Sequence, residues 1–356
     1  MLSTIKKYCR KPLVWAYSKI IPPKVNGAGY GVVSGDPPIL YVAVVGGSDQ
    51  EYAICNKALT PLFSGLGKRR AYFLYKWRWY AEDSGQGEIV KRFEEVHTRK
   101  YPTHHFIHLC NTLRQQEVFR EKGLTAEFIN QNCLVDEKTF RPLPSVKKIY
   151  DAVYDARLKK YKRHELAGNI QNLALIYDYN PIVDIPEDMK SIKSRFRHAH
   201  YFNHGSDGTY QALSAEEVNR ALNACKVGLC LSQREGAMYA SIQYLLSGLP
   251  VVSTKSEGGR DVFFDDEYVE IVEDDADAVA QGVRNVLRAN ISPQRVREQT
   301  LKKIEKHRKR FQAVVQNIYE REGIQTNFTQ EWEGVFFNKL IKWQNPKETI
   351  KSFERN

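Results

Sequence analysis

Apolar residues along this chain gather into short runs that alternate with amphipathic stretches of helical spacing, the pattern of an α/β protein built on parallel sheets. The run ILYVAVV at 39–45 predicts a buried strand. Gly46-Gly47-Ser48-Asp49 follow, then a helix through about residue 65 with Asp49 or Ser48 as its N-cap. A strand over 71–80, a helix over 87–98, a strand over 106–111, a helix over 113–122 and a strand over 126–132 complete a first compact unit. Residues 136–144 collect Pro142 and Pro144 and read as an interdomain hinge. A second unit opens with the apolar strand IYDAVYDA (149–156), basic residues, a helix over 164–177 and strands at 174–178 and 198–202. Ser214 and Glu217 are spaced as a capping box for a helix over 215–225. A strand at 227–232 leads to a helix whose buried stripe is Ile242, Leu245 and Leu246, ended by Gly248 and Pro250. A strand at 250–254 and helices over 276–289 and 293–322 close the unit. The divisions are a basic N-terminal segment 1–38, a first domain 39–142, a second domain 145–325 and a tail 326–356.

The stretch 232–261, SQREGAMYASIQYLLSGLPVVSTKSEGGRD, spans two strand-to-helix turns. In open parallel sheets, ligands bind at the carboxyl ends of strands, where glycines let backbone amides approach phosphates. Glu235-Gly236, then Gly248-Leu249-Pro250-Val251-Val252, then Gly258-Gly259-Arg260-Asp261, resemble in order and spacing the C-terminal domain of retaining glycosyltransferases of the family 4 type. Position 243 departs from that pattern: Gln243 stands where the family usually has a second glutamate that holds the ribose hydroxyls of the donor. Gln keeps an acceptor oxygen and adds donors, so hydroxyl binding survives the exchange in kind but not in charge.

The resemblance implies the GT-B fold, two Rossmann-like domains facing each other across a donor-binding cleft. It also implies a nucleotide-sugar donor, a glycan or lipid-linked acceptor, anomeric retention, no metal or other cofactor, and a chain end that crosses back to the first domain, for which 327–345 is the candidate. Glu235 is then the grip on the sugar hydroxyls, and Gly236 lets its turn approach the donor. Gly258 and Gly259 present amides to the sugar or diphosphate, and Gly46 and Gly47 form the first domain's loop over the donor. Arg157 and Lys162 match an Arg-x4-Lys pair aimed at the diphosphate, where fixed cations would do the work that metal ions do elsewhere. Arg163 and His164 are adjacent, so the register is open by one residue, and the same cations also read as the basic start of a helix. For the first domain's polar group at the reacting sugar, His104, His105 and His108 are candidates, as are Asn111 and Thr112; His108 and Asn111 are preferred, although a histidine on a strand is more often structural.

Composition narrows the rest. A net charge of +11 means attraction to anions. The basic face of 293–322 reads as a solvated helix, since no stacking platform or nucleic-acid fold signature accompanies it, and no nucleic-acid partner is expected. The six cysteines, Cys9, Cys55, Cys110, Cys133, Cys225 and Cys230, contain no Cys-x-x-Cys and read as reduced, mostly buried thiols of a cytoplasmic protein. No apolar run reaches the ~18–20 residues that span a bilayer. The basic, aromatic segment at 1–24 suits a peripheral contact with an anionic membrane, or packing on the first domain. GAGYG at 27–31 has the look of a phosphate loop, but no helix follows it and it reads as a turn with no ligand. The carboxylates at 265–267 and 274–277 read as caps and surface charge, not a metal site. Alternatives to transfer are a nucleotide-sugar epimerase of the same architecture, whose acid/base pair is not found, and a non-catalytic glycan- or nucleotide-binding relative, which Gln243 favours.

Overall fold

The computed structural model describes residues 28–44, 57–180 and 184–354. The expected helix start near 48, Gly46 and Gly47, Cys9 and Cys55, and the basic segment at 1–24 lie outside the described residues. The first unit carries β1 (Ala28–Gly35), β2 (Pro38–Val44), β3 (Ala71–Trp77), β4 (His104–Cys110) and β5 (Ala126–Phe128), with helices α1 (Thr60–Leu66), α2 (Ser84–Lys100) and α3 (Leu113–Glu121). Strands β2 to β5 run parallel, and β1 is antiparallel to β2. All seven residues of β3, AYFLYKW, are buried, as expected of a parallel strand covered on both faces; Lys76 is the polar exception.

The second unit is a six-stranded parallel sheet of β6 (Tyr150–Asp155), β7 (Leu173–Ile176), β8 (His200–Tyr201), β9 (Cys225–Cys230), β11 (Val251–Thr254) and β13 (Val269–Val272), in the order β13-β11-β9-β6-β7-β8. A small parallel pair, β10 (Arg234–Glu235) and β12 (Glu257–Gly258), joins two of its loops. Its helices are α4 (Pro186–Arg195), α5 (Ala215–Asn223), α6 (Tyr239–Leu246), α7 (Ala276–Ala289) and α8 (Pro293–Arg321). The capping box of Ser214 and Glu217 is formed, and Asp275 caps α7 by accepting from the amides of Asp277 and Ala278. Cys110, Cys133, Cys225 and Cys230 are buried free thiols.

The 29 residues of α8 extend about 43 Å, enough to underlie both units. Val296 and Ile304 pack in the second unit's core, whereas Phe311 meets Tyr41 of β2 edge-on at 6.2 Å. Just past the helix, Glu322 accepts from Arg70 (3.0 Å) and Tyr72 (2.5 Å) at β3. The chain continues through α9 (Phe328–Val335) to β14 (Lys342–Gln344), which pairs antiparallel with β1, and to α10 (Pro346–Phe353), whose Phe353 carbonyl accepts from Arg69 at 2.9 Å.

Several expectations are corrected here. Residues 28–35 form an edge-side strand, not a turn, so the first unit starts before residue 39. The helix expected over 164–177 is absent: two short 3-10 turns at 160–162 and 164–167 precede β7, because the run Leu173–Ile176 is buried at every position between β6 and β8. The strand expected over 126–132 ends at Phe128, since Asn130, Gln131 and Asn132 turn their amides into the domain seam. Helix α6 has no exposed face, being buried at seven consecutive positions from Ala240 to Leu246. The basic face of α8 is not wholly solvated: Arg297 donates to the carbonyls of Glu137 (2.8 Å), Phe140 (2.6 Å) and Leu246 (2.7 Å), and Arg308 to Cys133 O (2.8 Å) and the Glu137 carboxylate, so the helix grips the linker between the domains. Among the described residues no helix is long and apolar enough to cross a membrane.

Burial lowers the pKa of His97, His104, His164 and His307 to about 4 each, with neighbouring positive charge adding to the effect. A base whose folded pKa lies below its unfolded value contributes stability above the unfolded pKa and loses it as pH falls. The thermal unfolding midpoint is therefore expected to drop steeply between about pH 6.5 and pH 4, and His104→Gln, which breaks the 2.9 Å His97–His104 hydrogen bond, to lessen that slope. A midpoint flat over that window, measured by circular dichroism, refutes this reading.

Candidate functional site

The carboxyl ends of the two parallel sheets meet, and the loops that follow their strands form the candidate site. Asn130, fully buried, donates through Nδ2 to Asn111 O (3.0 Å) at the end of β4 and to Gly259 O (2.7 Å) after β12. Gln131 donates to Trp77 O at 2.7 Å, and Asn132 to Ala237 O at 2.7 Å. The backbone N–H of Asn130 donates to His307 Nδ1 at 3.3 Å, which fixes the histidine as a neutral acceptor. This amide cluster was not anticipated. Three consecutive amides after a short apolar run were its signal.

Glycines make the approach possible. A Cβ on Gly236 would collide with the Arg78 carbonyl across the seam, and one on Gly259 would stand 2.6 Å from the Asn111 Cβ. The amide of Gly259 donates to Gly236 O at 2.9 Å, so it does not face a phosphate as expected; Gly258, at φ 92°, turns the chain against the Glu235 carbonyl.

Glu235 and Lys162 form an ion pair, with side chains only 12% and 11% exposed, and Ser232 Oγ donates to the same carboxylate oxygen at 2.6 Å. The loop that carries Glu235 is set by Arg260, a fully buried arginine absent from the expectations. Its guanidinium donates to the carbonyls of Cys230 (3.0 Å) and Ser232 (2.6 Å) after β9, and to Ser253 Oγ (2.8 Å) and the Thr254 carbonyl on β11, while Asp261 balances its charge at 2.6 Å. Both terminal nitrogens of the fork find acceptors at the ends of β9 and β11, so the two strand-end loops are held as one piece.

Arg157 projects from the same end of β6 and pairs with Asp178 (2.7 Å) and Asp184 (3.5 Å). Lys162 Nζ stands 5.2 Å from the ring of Tyr161, a half-exposed residue whose pKa partial burial raises. Burial pushes Asp155, the last residue of β6, up to about 7 against the pull of Lys339 and Lys162. Arg163 does not share this position. In a left-handed conformation, it sends its guanidinium to Leu231 O, Thr254 Oγ1 and Asp274, each at 2.6 Å, so it ties strand ends together. Gln243 sits on α6, 7% exposed. His108 is corrected outright: it is fully buried in the first unit's core beside Trp77 and Phe119, bonded to Glu94 of α2 at 3.1 Å, away from the seam. His104 is likewise core, and His105 stacks on Tyr72 at 5.0 Å. Asn111 does lie at the seam, where its Nδ2 donates to Trp77 O at 2.6 Å.

Residues 197–303 match the family described as Glycosyl transferases group 1, a range that holds Glu235, Gln243 and the Gly258-Gly259 turn but not Arg157 or Lys162. No curated protein matches the chain. Among solved structures, the sucrose-phosphate synthase of Thermosynechococcus elongatus is similar at TM-score 0.50 and 13% identity, over 70% of this chain and 68% of that one. The Anabaena protein HepE, in a complex with UDP and glucose, is similar at TM-score 0.51 and 12% identity, over 70% of this chain and 72% of its own. The fold is GT-B.

Because Gly236 touches Arg78 backbone to backbone, Gly236→Ala is expected to wedge the units apart. Small-angle scattering should show an increased radius of gyration with near-native helix content, and a stability loss of about 1–3 kcal/mol typical of overpacking. An unchanged radius and stability would show that the seam tolerates the methyl group.

Proposed function

We propose that this chain is a glycosyltransferase that moves a sugar from a nucleotide-diphosphate-sugar to a glycan or lipid-linked acceptor, with retention and without a metal. The observation that carries the reading is the shielded Lys162–Glu235 pair at the carboxyl ends of β6 and β9, with Arg157 on the same side. Removing one member of a shielded ion pair strands the other, so the pair is a poor source of stability but a ready site of exchange. A diphosphate takes Glu235's place on Lys162, and Arg157 leaves Asp178 for the second phosphate. The Glu235 carboxylate is then free to accept from sugar hydroxyls, steadied by Ser232. Two fixed cations stabilise the negative charge that grows on the leaving diphosphate as the glycosidic bond breaks. Gln243 serves the ribose through its amide, a milder grip than a carboxylate.

A panel of nucleotide-sugars, with nucleoside diphosphate release followed with and without acceptor in excess chelator, tests this reading. Turnover is expected to persist in EDTA, and Glu235→Gln to reduce it by about 10²-fold or more, with nucleoside diphosphate affinity unchanged or tighter because the competing carboxylate is gone. Turnover lost in EDTA and restored by manganese or magnesium would overturn the role of Arg157 and Lys162. Full activity in a folded Glu235→Gln protein would overturn that of Glu235.

A further inference from the structure

Three cations on the first-domain wall of the cleft have no carboxylate in salt-bridge contact among the described residues: Lys76, Arg78 and Lys339. Lys76 is the penultimate residue of the buried parallel strand β3 and is 1% exposed. Its ammonium donates to the hydroxyl of Tyr239 and otherwise lies over aromatic faces, 5.0 Å from the Tyr239 ring and 5.7 Å from the Tyr41 ring. Lys339 Nζ stands over the same Tyr239 ring at 4.5 Å. Arg78, two residues on from Lys76, is exposed and has its backbone against Gly236 at the seam, and its charge acts on Lys76, Lys339, Tyr41 and Tyr239 alike. The Tyr41 hydroxyl, fully buried, has no hydrogen-bond partner among the described residues.

The backbone is strained to build this cluster. Lys339 and Leu340 take consecutive left-handed conformations, φ 63° and 47°, which side chains other than glycine adopt at a cost. The Leu340 carbonyl fills the space that a Cβ on Gly31 would need, so Gly31 of β1 is the seat of this strained turn. Arg260 and Arg308 show how this protein buries a cation for structure: their guanidinium groups are ringed by carbonyls and a carboxylate. Lys76 and Lys339 instead have π faces. Burial, with the other cations adding to it, holds the Lys76 ammonium well below its ordinary range and lowers that of Lys339. Two carboxylates act on Lys339, and each is shared with the other wall: Asp155 with Lys162, and Asp178 with Arg157, to which it is paired at 2.7 Å. The group is short of negative charge.

We propose that Lys76, Arg78 and Lys339, with the Tyr41 hydroxyl, bind a phosphate group carried by the acceptor. The site lies at the carboxyl end of β3, where parallel sheets bind ligands, and on the wall opposite Arg157 and Lys162, so the two phosphate-bearing substrates meet from opposite domains. This assignment rests on the reading of the chain as a glycosyltransferase, and its test separates the two.

The full chain is titrated by calorimetry with UDP, with glycerol 3-phosphate and with glycerol, and by flotation with vesicles of phosphatidylglycerol or phosphatidylcholine. Wild type and the variants Arg78→Ala, Lys339→Ala and Lys76→Met are compared. Arg78 is exposed, so its replacement leaves the fold intact. Glycerol 3-phosphate or phosphatidylglycerol is expected to bind in preference to its neutral counterpart, the soluble probe alone indicating a free phosphate ester and the vesicle alone a lipid headgroup. Arg78→Ala should weaken that binding by about 10-fold or more, the effect of one charge-assisted contact, with UDP affinity unchanged. Phosphate binding that fails with UDP binding intact, or that survives all three substitutions, overturns the site. Loss of UDP binding alone, with phosphate binding still sensitive to Arg78, overturns the donor reading and leaves the site standing.

Discussion

The side-chain amide of Asn130 holds two carbonyls at once, Asn111 O from one domain and Gly259 O from the other, and the geometry of the cleft depends on that bridge. Buried carbonyls left without donors are costly, so the two strand ends cannot separate without water or a ligand replacing the amide. The bridge works only because Gly236 and Gly259 have no side chains where the domains touch. His307 extends it to α8, the helix that also grips the interdomain linker through Arg297 and Arg308. Protonating His307 would set two N–H donors against each other at the seam, so acid acts where the two domains join.

On this frame the charged residues divide by their partners. Arg163, Arg260 and Arg308 are saturated by carbonyls and carboxylates and serve as rivets between strand ends, turns and the linker. The planar fork of arginine suits that role, since it satisfies several fixed acceptors from one direction. Arg157 and Lys162 have carboxylate partners that a more highly charged anion can displace. Lys76 and Lys339 sit against aromatic faces and lack such partners, which marks the other wall of the cleft as a place for an anion the protein does not itself supply.

The seam also sets a condition on exchange. Glu235 lies three residues after Ser232, whose carbonyl Arg260 holds, on a loop that the β10–β12 pair joins to the Gly258 turn and that meets Arg78 of the first domain at Gly236. On the proposed function, a donor entering between Lys162 and Glu235 would meet groups whose backbones are held, so that one anion would replace another by side-chain motion. Fixed dipoles and charges of this kind need little reorganisation when charge develops, the condition for electrostatic stabilisation of a leaving group.

The local order of this protein can be read from the residues in sequence. Alternating apolar runs, the Ser214 capping box, the Asp275 cap and the periodicity of 276–289 and 293–322 are written in near neighbours, and near neighbours decide where elements begin and end. The Glu235-Gly236 and Gly258-Gly259 turns were legible as turns at strand ends because their spacing is local as well. What a side chain faces was decided only by the tertiary structure. His108 looks the same in sequence whether it points to a cleft or into a core beside Glu94, and Arg163 differs from Lys162 by one position and by a left-handed backbone that turns it to Leu231 and Asp274. Leu173–Ile176 became a strand because neighbours distant in sequence buried it on both sides. The side-chain N–H donors of Asn130 to Asn132 have no acceptors near them along the chain; theirs lie up to 129 residues away, and only folding brings them into contact.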